Sequence, residues 1–460
     1  MYKKTKIIML SAGLFIFIFC LNFAVRAETL SLQESIDLAL ENNLELAVGE
    51  YDQKIAETGI RQAESALRPQ LDFMTSYTRQ KEREEPETGE ITVPDEDLQQ
   101  IIDGLEDFMD WEEIMPEAFA SEIFYTEFNA RYPLYTGGRL STAVEMAETG
   151  LGMSEVQLEQ KKISLAREVA DSYYDILLAQ ALIDLNQDFL QQAEEFLELT
   201  QQQYEEGIVT ESDILQAEAE KASVERSLTQ AENRVRRAKR NFKYILGLPA
   251  HIDINLEDIE LEEKKIPVER SRAVSLVKEN NPNLQLLEAQ KTLSGMEVEM
   301  KEAEKKPEIF ASGTYNWQDT ELSLDNGHWS LTLGLNYEIF DGGRRDAEID
   351  RARLEEEQTA GRYEQVLEEI KQGLDILYLQ FEEIKENLAL METQKKAAAD
   401  NLELTEIRYE AGLVTALEIT AAQTDVRQIK TEILQLEYEF LSTAARLAEL
   451  LGYQYPGRFF

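Results

Sequence analysis

Cysteine is almost absent from this chain: Cys20 is the only one in 460 residues. Structural disulfides are excluded, and so are zinc sites built from thiolates. Histidine is nearly as scarce. His251 and His328 are the only two, one in a linker and one beside an expected turn, so a histidine-based triad lacks its material. Basic residues are in deficit, 46 against 90 acidic, for a formal net charge of −44. Phosphate recognition needs the opposite sign, which excludes nucleic acid as a partner. With so many carboxylates, an acidic pair reads as solvated surface. No catalytic residue, cofactor or metal site is expected. Beyond residue 27, no segment reaches the roughly 18 consecutive apolar residues of a membrane helix.

The first residues are of another kind. Lys3, Lys4 and Lys6 lead into an apolar run from Ile7 to Phe23, and Val25-Arg26-Ala27 places small residues at −3 and −1. This is the pattern of a secretory signal peptide cut after Ala27. Phe19 before Cys20 is too bulky for a lipoprotein acylation box.

The remainder is written twice. Leu197–Ile214 reads LELTQQQYEEGIVTESDI and Leu402–Ile419 reads LELTEIRYEAGLVTALEI, identical at ten of eighteen positions and offset by 205 residues. Gly137-Gly138-Arg139 and Gly342-Gly343-Arg344 share that offset, as do Gly247 and Gly452. Upstream, Asn42-Asn43 matches Asn280-Asn281, Pro69 matches Pro307 and Tyr77 matches Tyr315, all at 238. One insertion of about 33 residues between Tyr77 and Gly137 accounts for the change, so the chain reads as a tandem duplication. The expected organisation is a signal peptide (1–27), a first repeat (28–247), a linker (248–268), a second repeat (269–452) and a tail (453–460).

Proline is missing between Pro133 and Pro249 and between Pro307 and Pro456. Arg139–Gln203 and Arg344–Arg408 therefore read as continuous helices, each about 100 Å long at 1.5 Å per residue. Val169, Ile176, Ile183, Leu190, Leu197 and Tyr204 recur every seven residues. So do Leu374, Phe381, Leu388, Leu402 and Tyr409, with Lys395 interrupting. That period means left-handed coiled-coil packing of long helices side by side. Shorter helical stretches, about Leu32–Arg68 and Thr210–Leu246 in the first half, flank each long one.

Between the helices each half holds two segments of period two. Leu71, Phe73, Thr75 and Tyr77 alternate with polar neighbours, as do Phe124, Phe128, Ala130, Tyr132 and Leu134. In the second half Ile309, Ala311, Gly313, Tyr315 and Trp317 alternate, followed by Trp329, Leu331, Leu333, Leu335, Tyr337 and Ile339. One apolar face with aromatics towards its ends is the signature of transmembrane barrel strands. Phe124, Phe128, Tyr132, Tyr315, Trp317, Trp329, Leu331, Leu333, Leu335 and Tyr337 are the expected lipid-facing residues. Four strands cannot close a barrel, and lipid does not tolerate open edges. Several copies must share one; two would give eight strands and three would give twelve. The insertion, Glu82–Ala120, carries fifteen acidic residues against one basic and reads as an extracellular flap. The second hairpin turns at Asp325-Asn326-Gly327.

The chain resembles the TolC-like outer-membrane efflux proteins over nearly all of its mature length. The motifs are Pro-Leu-Tyr-Thr-Gly-Gly (133–138), Ile-Phe-Asp-Gly-Gly (339–343) and Arg-Tyr-Glu-Ala-Gly-Leu-Val-Thr (408–415). The resemblance implies a mainly α fold with a transmembrane β portion: a homotrimer with a twelve-stranded barrel in outer-membrane lipid, continuous with a twelve-helix periplasmic tube. It implies a passive exit duct of a tripartite efflux or type I secretion system, reaching from the outer membrane into the periplasm. A periplasmic adaptor and an inner-membrane pump would be its partners. The duplicated phrase would then form two helical tips per chain, with Tyr204, Gly207, Arg408, Tyr409 and Gly412 at the adaptor-docking surface. Gly207 and Gly412 would turn the backbone, Thr210 and Thr415 would cap the following helices, and both tyrosines would pack beneath the turns. The family carries acidic residues at the pore mouth; Glu418 matches one such position and Asp213 is its first-repeat counterpart. Ala421, Val414 and Gln203 depart from the family's pattern at its second acidic site and its gating salt bridges. The alternative from another class is a periplasmic coiled-coil adaptor or spacer, which would need no lipid-facing strands.

Overall fold

The computed structural model describes residues 29–79, 122–259, 266, 268–319 and 327–454. The signal segment, the acidic insertion at 82–120 and the Asp325-Asn326 turn lie outside these residues. The elements run β1 (Thr29–Leu30), α1 (Leu32–Asn42), α2 (Leu44–Ser65), β2 (Gln70–Arg79), β3 (Glu122–Tyr135), α3 (Arg139–Glu205) and α4 (Glu211–Ile245). Then follow β4 (Asn255–Leu256), α5 (Arg270–Asn280), α6 (Pro282–Ala303), β5 (Glu308–Asp319), β6 (His328–Asn336), α7 (Arg344–Glu410) and α8 (Ala416–Leu450). Corresponding helices match in length: 11 residues for α1 and α5, 22 for α2 and α6, 67 for α3 and α7, and 35 for α4 and α8.

The stretch expected as one helix over Leu32–Arg68 is two. Asn43 is extended (φ −72°, ψ 122°), and its side-chain Oδ1 accepts from the Glu45 and Leu46 N–H groups at 2.8 and 3.2 Å. The asparagine that ends α1 thus satisfies orphan donors at the start of α2. Asn281 does the same between α5 and α6, accepting from Asn283 and Leu284 at 3.0 and 3.3 Å, with Pro282 at the first helical position, where its missing N–H costs nothing. Gly247, at φ +68°, lies against α1: a Cβ there would sit 2.9 Å from that of Asn42. Gly452 abuts Asn280 in the same way.

Two compact units result, and each draws on both repeats. The larger comprises Met1–Lys54, Met153–Ala289 and Gly361–Phe460; the smaller comprises Ile55–Gly152 and Gln290–Ala360. Within the larger unit one core gathers around Val169, Tyr173, Ile176 and Phe242. Another gathers around Leu374, Phe381, Leu388 and Phe440, so the upper part of the heptad seam is buried. Tyr173 donates its hydroxyl to the Leu30 and Glu257 carbonyls at 3.0 and 2.6 Å, pinning the parallel β1–β4 pair. Its repeat counterpart Tyr378 donates to the Val268 carbonyl at 2.6 Å. Burial pushes the Tyr378 phenol up to about 12, consistent with a permanently protonated donor.

The smaller unit holds a four-stranded sheet of order β2-β3-β5-β6, antiparallel throughout. Its register aligns Phe73, Phe128, Tyr315 and Trp329 across all four strands, and Leu71, Ala130, Gly313 and Leu331 beside them. Directly opposed residues share a face, so the apolar alternation read from the sequence becomes one continuous surface. The strand expected to reach Ile339 stops at Asn336. That residue pairs with Glu308, where β5 begins, so Tyr337 has no ladder partner on β5. A register shift between Pro133 and Tyr135 takes Leu134 out of the alternation.

Candidate functional site

The two tips are built by the same local rules. At the end of α3, Ile208 N–H donates to the Gln203 carbonyl (2.8 Å) and Gly207 N–H to that of Tyr204 (3.0 Å). At the end of α7, Leu413 donates to Arg408 (2.8 Å) and Gly412 to Tyr409 (2.9 Å). Both are Schellman turns, which need a left-handed residue; Gly207 and Gly412 supply it at φ +76° and +68°. The next helices then start on a threonine and a carboxylate. Asp213 Oδ2 accepts from the Thr210 N–H and hydroxyl at 2.9 and 2.7 Å. Glu418 Oε1 stands 3.4 Å from the equivalent groups of Thr415. These carboxylates take up N–H groups at helix starts, the reciprocal half of a capping box.

Asp213 does more. Its second oxygen accepts from the Ala416 N–H at 3.4 Å, joining the starts of α4 and α8. Burial opposes its ionisation, but the bonds from Thr210 and Ala416 outweigh it and hold the carboxyl below its ordinary value.

The two tip tyrosines part company. Tyr409 is 1% exposed, its ring 5.2 Å from that of Phe196 and its hydroxyl 3.1 Å from Thr200 Oγ1. Burial raises its phenol above the usual value. Tyr204, expected to pack beneath its turn in the same way, is 44% exposed. The residue turned inward on α3 is Gln203, whose buried Oε1 meets no hydrogen-bond donor among the described residues. Its counterpart Arg408 faces solvent. Closely similar local sequence gives one buried and one open tyrosine because Tyr409 packs on Phe196 and Thr200 of the other hairpin.

On the sheet, Trp329, Leu331, Leu333 and Leu335 project from β6 fully open, with Phe128, Tyr132 and Tyr315 more than one-third exposed and Phe124 half-buried. Trp317 shares their face but is only 4% exposed. The Phe128 and Tyr315 rings, at 6.1 and 5.7 Å, crowd it from its own chain. Expected to face lipid, it is instead covered by its neighbours. On the opposite face Phe310 lies across Gly334, and the Arg131 guanidinium stacks on that ring at 4.6 Å.

A sequence model of the family described as "Outer membrane efflux protein" matches residues 35–248 and 273–453. This chain belongs to that family. Among curated relatives of the outer membrane efflux proteins, the probable efflux pump outer membrane protein TtgC of Pseudomonas putida is 24% identical over 255 residues. That alignment covers 53% of this chain and 52% of TtgC, so the chain spans about half of that relative's length. Solved structures match more fully. CusC superposes with a TM-score of 0.76 at 18% identity, over 92% of each chain. VceC of Vibrio cholerae does so at 0.73 and 19% identity, over 92% of this chain and 96% of its own. At such identity the likeness speaks for the fold alone.

Several contacts in this member of the family were not read from its sequence. Glu220 of α4 and Arg427 of α8 form a largely buried ion pair at 2.5 Å. Arg345, also buried, binds Asp341 Oδ2 at 2.6 Å and the Glu338 carbonyl at 2.6 Å where β6 gives way to α7. The Arg345 side-chain and backbone bonds hold the Asp341 carboxyl down to about 2. The Thr-x-x-Asp and Thr-x-x-Glu spacings were the missed signals for Asp213 and Glu418. Among the described residues no cluster of His, Cys, Asp or Glu is placed to hold a metal ion, and no helix is long and apolar enough to cross a membrane.

Proposed function

We propose that this protein is a passive conduit across the outer membrane and periplasm, the exit duct of a tripartite efflux or type I secretion assembly. The sheet carries the reading. It presents a continuous apolar face, and its outer strands β2 and β6 run in opposite directions. In lipid such edges must be paired. An antiparallel sheet with opposed edges can add the β2 of one copy to the β6 of the next without breaking its alternation. Three copies, the number that the family resemblance implies, give twelve strands. The helices, in repeats spanning 28–247 and 269–452, would line a periplasmic tube of twelve.

In this reading Tyr204, Gly207, Arg408, Tyr409 and Gly412, with Ile208 and Leu413 exposed beside them, meet a periplasmic adaptor that is attached to an inner-membrane pump. Glu418 and Asp213 stand at the pore mouth, where three-fold symmetry turns each into a ring of like charge. Energy and choice of cargo come from the partners. Single-particle imaging of detergent-extracted protein tests the proposal. A hollow three-fold particle with a barrel at one end supports it; a solid rod that needs no detergent overturns it.

A further inference from the structure

Internal duplication makes a contact between the repeats informative about a second contact that one chain cannot make. The Thr200–Tyr409 pair joins α3 of the first repeat to α7 of the second. Shifting each residue to its counterpart, 205 positions away, turns this pair into Thr405 and Tyr204. Both residues exist, and their side chains are prepared in the same way. Thr200 Oγ1 donates to the Phe196 carbonyl at 2.8 Å, and Thr405 Oγ1 donates to that of Asn401 at 2.7 Å. Each threonine has thus spent its proton and keeps its lone pairs, so the tyrosine must be the donor.

The surroundings follow the same exchange. On the first repeat Tyr204 and Leu215 are 44% and 60% exposed, whereas their counterparts Tyr409 and Thr420 are 1% and 6% exposed. On the second repeat Leu404 and Arg408 are exposed, whereas Leu199 is half-buried and Gln203 is buried. Around Tyr204, and around a Thr405 that is 8% exposed beneath Leu404 and Arg408, each repeat leaves open side chains that its twin has covered. The two open faces are those that would meet if the intrachain arrangement were continued by another copy.

We infer that the occupant of both faces is a second copy of this chain, and that Tyr204 of one copy donates its hydroxyl to Thr405 of the next. In a closed ring, Tyr–Thr latches within chains would alternate with identical latches between chains. This inference rests on the homo-oligomeric reading proposed above and assigns the residues that seal its seam at the tip.

The test uses full-length protein in detergent carrying Cys20→Ser, which removes the only native cysteine. Native mass is measured first. A single-copy mass overturns both the assembly and the latch. Given an oligomer, Tyr204→Cys and Thr405→Cys in one chain are treated with a bis-maleimide about as long as a tyrosine side chain. Thr200→Cys with Tyr409→Cys serves as the intrachain control. The expected result is a ladder of covalent multimers for the first pair and a cross-linked single chain for the control. Co-assembled copies carrying only Tyr204→Cys or only Thr405→Cys should give covalent dimers. Multimeric native mass with a reactive control and no covalent dimer overturns the latch while sparing the assembly.

Discussion

Phe310 lies over Gly334 on the neighbouring strand so closely that a Cβ at Gly334 would collide with the ring. The glycine is the floor on which the aromatic rests, and Arg131 stacks on the same ring. Gly334→Val should displace both and destabilise the sheet by about 1–3 kcal/mol, the usual cost of overpacking. The check is a lowered thermal midpoint of the detergent-extracted protein. Phe310→Ala combined with Gly334→Val should recover part of the loss, because the clash is gone.

Asn281 and Asn43 make the same break between helices with different support. Both cap the helix that follows, but Asn281 also donates to the Leu450 carbonyl at 2.8 Å. Asn43→Ala should cost about 1 kcal/mol, a typical cap. Asn281→Ala should cost more, about 2 kcal/mol, because the carbonyl of half-buried Leu450 loses its Asn281 bond as well. Chemical denaturation of the two variants side by side would reveal the order.

Asp341 titrates at about 2, below its ordinary 3.8. A carboxyl lowered on folding contributes stability that is complete above the unfolded value and is lost as pH falls through the folded one. The midpoint difference between wild type and Asp341→Asn should therefore hold from pH 7 to about 5 and close between about pH 4 and 2. A difference that persists at pH 2 would remove the ionised carboxylate from the account.

Glu220 and Arg427 are shielded on both sides, at 9% and 18% side-chain exposure. Removing one partner strands the other charge, and each single alanine variant should cost up to about 3–5 kcal/mol. Replacing both with methionine should cost less than either alone. A double-mutant cycle by denaturant unfolding measures the coupling.

Glu418→Gln separates the capping contact from the proposed place at a pore mouth. The amide oxygen can still accept from Thr415, so the helix start and the melting midpoint should be unchanged. The charge is lost, so cation preference in planar-bilayer conductance should weaken by a measurable shift in reversal potential. Unchanged selectivity would leave Glu418 with its capping role only.

Much of this architecture was legible because it rests on periodicity. Seven-residue spacing marked the helices whose Val169, Ile176, Leu374 and Phe381 are fully buried, and period-two spacing marked the strands. What escaped notice depends on partners distant in sequence or on short-range polar bonds. No proline announces the break at Asn43; its side chain makes the break by offering the backbone another acceptor. Tyr204 and Tyr409 sit in nearly the same words, so no local signal could tell which one would be covered. Trp317 kept its expected face, yet Phe128 and Tyr315 reach it from positions that alternation alone cannot bring together.

The length-matched helices set limits on how such a chain can change. Deleting one residue from α3 or α7 would shorten it by 1.5 Å and rotate everything beyond by about 100°, taking its tip out of step with the twin. Additions are tolerable only where neither helix nor ladder must stay in phase. The halves differ there: 42 residues separate Arg79 from Glu122, against eight between Asp319 and His328. The connection between paired strands can take up added length without disturbing either, while the helical frame is held to a fixed count.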